Sequence, residues 1–410
     1  MRELDRTEPQ ASVAGEPRPR PASAHDERHA KLTRYYLPRE HVLWPGNRCQ
    51  LLHDGVEAFP AMLAAIEGAR RYVRLCMYMF LDDAVGQLFA RALSEAAGRG
   101  VEVTVFYDAF GSLGTPRAFF RRMRQAGVDV RPFRPFSWRF LRSLVQRDHR
   151  KLLIADGEVG FIGGMNLGAK WAPRGGEIGG EGWRDDVLRV DGPAVRQLER
   201  AFGASWRLHL NLRLQRLRAL LEVRRVWPSR ARGDVSLAVL SSRRSIYRSY
   251  LHAIARARHT VLIAAAYFVP DGSLVRALTE ASRRGVRVEL ILNSRCDHPL
   301  LTWVTRAFYQ RLLDSGVVIH EWCSGVLHSK TAVVDGVWGT VGSFNLERIS
   351  IHVNHEVNVA FADPRLGRIL EESFERDRAR CTRLDPERWR RRPRWQKALE
   401  AFLHLFRKLA

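Results

Sequence analysis

The chain has 410 residues, 46% of them apolar, which excludes an intrinsically disordered protein and suggests two domains of roughly 150–200 residues rather than one ordinary core. Lysine and arginine number 67 against 44 aspartates and glutamates, a formal net charge of +23, so the expected partner is a polyanion: nucleic acid or anionic lipid headgroups. The five cysteines, Cys49, Cys76, Cys296, Cys323 and Cys381, are odd in number and lack a Cys-x-x-Cys pair, which argues against a disulfide scaffold or a zinc ribbon and fits a reducing compartment.

The N-terminal stretch to about Arg34 is rich in Pro, Arg, Ala and Glu and has no apolar core of a signal peptide. Residues 1–38 are expected to be a disordered, basic, Pro-rich tail. No run approaches 18 uncharged apolar residues, so nothing is predicted to span a bilayer. Any membrane contact would come from the side, at the cytoplasmic face.

From there the chain repeats itself. Ala65-Ile66-Glu67-Gly68-Ala69-Arg70 matches Ala253-Ile254-Ala255-Arg256-Ala257-Arg258, and each leads into a β-rich run, Tyr72–Phe80 and Thr260–Val269. Helical segments ending in Arg-Gly follow at Gln87–Arg99 and Ser273–Arg284, then strands at Val101–Tyr107 and Val286–Leu292. Second helices begin Arg117-Ala118-Phe119-Phe120 and Arg306-Ala307-Phe308-Tyr309, and both run into Gly-Val and another strand. Strands alternating with helices predict a mainly parallel sheet covered by helices. Two such units predict pseudo-symmetric α/β domains at 39–222 and 234–378, joined by a linker at 223–233. Residues 379–410 read as a basic amphipathic tail.

The two units differ by an insertion. Gly127 and Gly316 are 189 residues apart, whereas His149 and His328 are 179 apart, so the first unit carries about ten extra residues within Phe133–Arg147. Phe136, Phe140, Leu141, Leu144 and Val145 fall there at helical spacing among Arg134, Arg139, Arg142 and Arg147. In the C-terminal tail Trp395, Leu399, Phe402, Leu403, Phe406 and Leu409 form one apolar face. Basic helices with aromatic residues suit a membrane interface, although packing on the core would use the same pattern.

The chemistry is expected at a paired motif. His149-Arg150-Lys151, four residues, Asp156, six residues, then Gly163-Gly164-Met165-Asn166 is matched by His328-Ser329-Lys330, Asp335 and Gly342-Ser343-Phe344-Asn345 at identical spacing. One copy alone could be a hairpin with a histidine and a lysine at its rim. Two copies in register, using two of only six lysines in an arginine-rich chain, point to a compact cation placed for a phosphate oxygen. Imidazole titrates near neutrality, so one histidine can attack while its partner donates a proton. Lys151, Lys330, Asn166 and Asn345 would hold the non-bridging oxygens, and Ser343 would add a hydroxyl that Gly164 cannot.

This duplicated HxKxxxxD pattern resembles the phospholipase D superfamily over nearly the whole chain. The resemblance implies two tandem α/β/α domains whose motifs, His149, Lys151, Asp156 and His328, Lys330, Asp335, form one active site at their interface. It implies a phosphohistidine intermediate, with His149 favoured as nucleophile. It places an acidic partner downstream of each motif: Glu356, and Asp185 with Asp186 as the alternative. Asp156 and Asp335 read as structural hydrogen-bonding members of the motif.

Within the superfamily the chain is most similar to bacterial cardiolipin synthases of the shorter type without N-terminal transmembrane helices. The likeness rests on Leu51–Gly55 with Phe59-Pro60, Asp108–Ser112, Phe161–Asn166, Ala265–Pro270 and Thr340–Leu346. It implies transfer of a phosphatidyl group between two phosphatidylglycerols with release of glycerol. No cofactor and no metal are expected, and no nucleotide motif is present. The expected partner is an anionic phospholipid surface, with the protein peripheral on the cytoplasmic face of the bacterial cell membrane and no nucleic acid involved. The alternatives are another phospholipase D-type phosphatidyltransferase or hydrolase, or a phosphodiesterase acting on nucleic acid.

Overall fold

A computed structural model describes residues 24–135, 146–175, 180–209, 230–397 and 402. The first unit contains strands β1 (Trp44–His53), β2 (Tyr72–Met77), β3 (Glu102–Asp108), β4 (Asp129–Phe133), β5 (Leu152–Ala155), β6 (Val159–Gly163) and β7 (Asp186–Asp191). The second contains β8 (Val235–Leu240), β9 (Thr260–Ala265), β10 (Arg287–Asn293), β11 (Val318–Trp322), β12 (Lys330–Val334), β13 (Trp338–Gly342) and β14 (Asn358–Ala362). Their lateral orders are the same, β1-β7-β6-β5-β2-β3-β4 and β8-β14-β13-β12-β9-β10-β11. Antiparallel pairing of β1 with β8, through Trp44 with Leu237 and Asn47 with Val235, fuses the two into one sheet. The repeat in the sequence is therefore a repeat in topology, and the fold is a pair of like α/β units.

The sheet is mixed rather than mainly parallel. Only β2-β3-β4 and β9-β10-β11 run parallel. Beyond them the chain returns through short antiparallel connections, β5-β6-β7 and β12-β13-β14. The helices expected between the early strands are present: α2 (Asp54–Glu67), α3 (Ala84–Gly98) and α4 (Arg117–Gln125) in the first unit. The second has α6 (Arg243–Arg256), α7 (Gly272–Arg283), α8 (Pro299–Arg306), α9 (Tyr309–Asp314), α10 (Arg348–His352) and α11 (Pro364–Arg378), preceded in the chain by α5 (Val195–His209). Asp83 caps α3 through Gly86 N at 3.0 Å, and Asp271 caps α7 through Ser273 N and Leu274 N. Gly100 and Gly285 end these helices at φ 85° and 86°, a left-handed backbone that explains the repeated Arg-Gly.

Burial is organised the same way. One apolar cluster fills each unit, and a third crosses both, joining Leu188 and Val190 to Leu237, Val341, Phe361 and Phe374. Removing that shared apolar surface from water favours holding the halves together.

Three expectations need correction. Residues 24–36 of the supposed disordered tail form helix α1 (Ala24–Tyr36). Its end docks on the second unit, where Tyr36 and Leu37 join the core and the Tyr36 hydroxyl donates to Asp335 Oδ2 at 2.6 Å. The polar composition of the stretch concealed the few apolar residues that anchor it. Cys381–Arg383 forms strand β15 on β11, and Asp385 caps helix α12 (Pro386–Arg390), so the start of the C-terminal tail is sheet edge and helix. Finally, Phe133 is a core residue packed on Phe106 and His355, not part of an interfacial loop. Residues 1–23 of the N-terminal tail, 136–145 of the insertion, 210–222 at the end of the first unit, the 223–229 part of the linker, and 398–401 and 403–410 lie outside the described residues. Within the C-terminal stretch Trp395 and Phe402 are exposed. Among the described residues no helix is long and apolar enough to cross a membrane.

Candidate active site

The two motifs meet by exchanging backbone bonds between units. His149 N donates to His355 O at 2.9 Å and His355 N to Arg147 O at 2.8 Å. In the other direction Arg184 N donates to Val326 O at 2.9 Å and His328 N to Arg184 O at 2.7 Å. Each histidine thus lies beside a strand of the opposite unit, and the next residue of that strand is acidic. His149 Nδ1 lies 3.1 Å from both Glu356 oxygens, and His328 Nδ1 lies 2.7 Å from Asp185 Oδ2. The acid downstream of each motif serves the histidine of the other. Asp186, the alternative to Asp185, is engaged elsewhere, with Ser329 Oγ at 2.6 Å, Arg184 at 2.9 Å and His53 at 2.9 Å.

The two corners differ in detail. His149 Nδ1 faces only acceptors, Glu356 and the Ser343 carbonyl at 3.2 Å, so it carries the ring proton and leaves the Nε2 lone pair free. His328 Nδ1 faces Asp185 and also the Lys330 ammonium at 3.0 Å. With the ammonium donating, Nδ1 can act as acceptor and Nε2 can carry the proton. Burial pushes both imidazoles below their ordinary value. Glu356 opposes that at His149, whereas Lys330 and Lys151 reinforce it at His328, which ends well below.

The acids differ too. Burial pushes the Glu356 carboxyl up, but His149, Lys151 and the Ser343 hydroxyl outweigh it and hold it below the ordinary range. Burial dominates at Asp185 and raises it to about 7, against the pull of Lys330. Ser343 Oγ and Ser350 Oγ donate to Glu356 at 2.5 and 2.8 Å, while Trp171 Nε1 donates to Asp185 at 3.0 Å. Ser343 is therefore a support for Glu356, not a free hydroxyl for phosphate. Gly164 replaces it because a Cβ there would lie 2.4 Å from Asp185 Oδ1.

Lys151 Nζ and Lys330 Nζ each bond back to the carbonyl of their own motif histidine. Burial lowers them to about 7 and about 8, and Lys330 is among the causes that lower Lys151. The two motifs therefore share one electrostatic space, which an incoming phosphodiester anion would complement. Asn166 Oδ1 accepts from Met79 N at 3.0 Å, and the buried Asn345 Oδ1 has no hydrogen-bond partner among the described residues. Asp156 and Asp335 stand apart from the histidines. Each sits in a left-handed turn at φ 55° and 53°, and its carboxylate accepts three consecutive backbone N–H groups: Arg70, Arg71 and Tyr72, or Arg258, His259 and Thr260. Although they belong to the motif, they bear on structure and not on the reacting groups: they tie the hairpin turn to the neighbouring strand.

Sequence reasoning missed the walls of the site. Tyr78 packs edge-on against His149 with ring centroids 4.9 Å apart, and Tyr267 against His328 at 6.1 Å. Tyr78 directly follows the last residue of β2, Met77, whereas Tyr267 stands two places beyond the last residue of β9, Ala265, so the alignment of the two halves does not pair them. Trp171 and Trp183 flank His328 at 5.4 and 5.6 Å, with no counterpart beside His149 among the described residues. Among the described residues no group of three or more His, Cys, Asp or Glu side chains could hold a metal ion.

Comparison with known proteins agrees with this geometry. A family model described as "Cardiolipin synthase, PLD-like domain" matches residues 62–206 and 250–378, one segment in each unit. The chain is 33% identical over 371 residues to a cardiolipin synthase of Listeria innocua, covering 89% of this chain and 76% of the relative. It is 33% identical over 360 residues to the probable cardiolipin synthase YwiE of Bacillus subtilis, covering 87% and 71%. In fold it is similar to the crystal structure of a phosphatidylserine synthase from Haemophilus influenzae, with a TM-score of 0.69, 11% identity and coverage of 93% and 97%. The duplicated motif, the paired units and these matches agree: the chain belongs to the cardiolipin synthase family of phospholipase D-like phosphatidyltransferases.

Proposed function

We propose that this protein makes cardiolipin by moving a phosphatidyl group from one phosphatidylglycerol to another, through a phosphohistidine at His149. The observation that carries the reading is the asymmetry of the crossed His–acid pairs within one buried, cationic site. In the first step His149 Nε2 attacks phosphorus while the bond to the glycerol oxygen breaks. His328 Nε2 gives its proton to that oxygen, and free glycerol leaves. In the second step a headgroup hydroxyl of another phosphatidylglycerol gives its proton to His328 as its oxygen bonds phosphorus and the P–N bond breaks. One phosphodiester replaces another, so the exchange needs no nucleotide. Lys151, Lys330 and the amides of Asn166 and Asn345 would hold the non-bridging oxygens, where charge accumulates. The relatives carrying the cardiolipin synthase name support this choice of substrate.

The same reading places the protein on the cytoplasmic face of the bacterial cell membrane. The arginines and aromatics of 134–146, between the buried Phe133 and Arg147, and those of the C-terminal segment would contact anionic lipid, each cation contributing on the order of 1 kcal/mol. The test is cardiolipin and glycerol formation from phosphatidylglycerol in mixed micelles, with and without chelator. Equal yields in both are expected. Absence of cardiolipin, or cleavage of DNA in place of lipid, would overturn the proposal.

A further inference from the structure

The two corners differ on their open sides. The Tyr267 hydroxyl donates to Asp297 Oδ1 at 2.7 Å, while the Tyr267 ring stands edge-on to His328. Asp297 is partly exposed, with His298 Nε2 at 3.7 Å from its other oxygen. Its charge reaches the reacting groups, since it opposes the lowering of both His328 and Lys330. On the His149 side the acid that acts on Tyr78, Asp108, is fully buried and taken up by the N–H groups of Phe110, Gly111 and Asp148. There the Tyr78 hydroxyl has no hydrogen-bond partner among the described residues. At the place matching Asp297, four residues beyond the end of β3, stands Ser112, which is turned inward onto the backbone of Phe80 and Tyr78.

A carboxylate is ill suited to a pocket for a phosphodiester anion, which it repels. It suits hydroxyl groups, whose protons it can accept, and it stands on the hydroxyl of the Tyr267 ring that packs against His328, the histidine that serves the entering and leaving alcohols. We propose that Asp297 and Tyr267 form an acceptor-alcohol subsite that accepts hydrogen bonds from the hydroxyls of a polyol headgroup. The subsite favours a glycerol-bearing acceptor over water. This deepens the transfer reaction proposed above and rests on it. Tyr267 orients the carboxylate by occupying Oδ1, and Oδ2 takes the hydroxyl that does not react. The neighbouring hydroxyl is thereby held for proton transfer to His328. Held alcohol competes with water through proximity, which is how such a subsite separates transfer from hydrolysis.

The test uses the full chain, a short-chain phosphatidyl-p-nitrophenol donor, and glycerol as acceptor. The readout is the ratio of phosphatidylglycerol to phosphatidic acid formed, together with the KM for glycerol. Asp297→Asn is expected to lower the ratio and raise the KM about tenfold, the scale of a hydrogen bond to a charged group. Asp297→Glu should recover part of both. An unchanged ratio, including a parallel fall of both products, would overturn the subsite and leave Asp297 a support for Tyr267. If Asp297→Asn has no turnover, Tyr267→Phe decides by the same ratio. A wild-type chain that exchanges glycerol onto the reporter yet makes no cardiolipin from phosphatidylglycerol sinks the proposed function but not the subsite. A wild-type chain on which glycerol never competes with water sinks the subsite.

Discussion

The His149 and His328 corners are built from the same motif, and they differ in almost everything that surrounds it. His149 has an ionised Glu356, two serine hydroxyls behind that acid, and only acceptors on Nδ1. His328 has Asp185 held near neutrality, an ammonium on Nδ1, and two tryptophans against its ring. The repetition places two imidazoles in one site, but a two-step transfer needs one nucleophile and one proton carrier. The neighbours supply that difference: one environment frees a lone pair, the other stores a proton.

The largest expected effect tests this division of labour. His149→Ala and His328→Ala should each reduce cardiolipin formation by roughly 10⁴-fold, the scale for losing one member of a catalytic unit. With a p-nitrophenol donor, whose leaving group needs no proton, His328→Ala should still give a covalent phosphatidyl label, acid-labile as a P–N bond is and so read by mass spectrometry at neutral pH, and His149→Ala should give none. Label on His328 in the His149 variant would reverse the roles.

A second difference lies in the buried arginines. Arg150 bonds within its own unit, to Asp148 at 2.8 Å and the Ala201 carbonyl at 2.7 Å. Arg184 crosses to the other unit, reaching Asp377 at 2.8 Å and Ser373 at 2.9 Å on α11 (Pro364–Arg378) while holding Asp186 at 2.9 Å. Arg184→Met should therefore destabilise the chain by about 3–5 kcal/mol in urea unfolding, because it strands two buried carboxylates. A loss below about 1 kcal/mol would show that the shared apolar surface alone holds the units.

The smallest effect is in pH dependence. Below about 7 Asp185 is protonated, Nδ1 of His328 accepts, and Nε2 carries a proton for the leaving oxygen. Above it the pair has lost that proton and Nε2 is bare. The first half-reaction with phosphatidylglycerol should fall as pH rises through about 7, up to tenfold per pH unit, whereas with p-nitrophenol as leaving group it should not. Stopped-flow bursts with the two donors measure both. Parallel falls would mean that the titration belongs to Lys151, lowered to about 7, since deprotonating His149 would speed the attack instead.

Much of this site was legible in the chain. His149, Lys151, His328, Lys330, Asn166 and Asn345 recur at fixed spacing, and that spacing is local: a histidine and a lysine two apart on an extended strand share a face. Glu356 and Asp185 were also found, but which histidine each serves was not, because the strand bridges that deliver them join residues about 140–210 positions apart. The role of Ser343 was misread for the same reason, since its hydroxyl is taken by a glutamate thirteen residues on. Tyr36 shows the limit of composition: one hydroxyl and a few apolar contacts order a segment that averages as disordered.

The sequence by itself determined the repeat, the two α/β units and the chemistry of the paired motif, because each depends on periodicity and short-range spacing. Only the tertiary structure decided the mixed sheet, the crossed acids, the distinct protonation of the two histidines and the acid at Tyr267. Those depend on which distant strands pair and on how much water and charge the folded chain leaves around each group, and burial shifts a carboxyl such as Asp185 by amounts that no local pattern encodes.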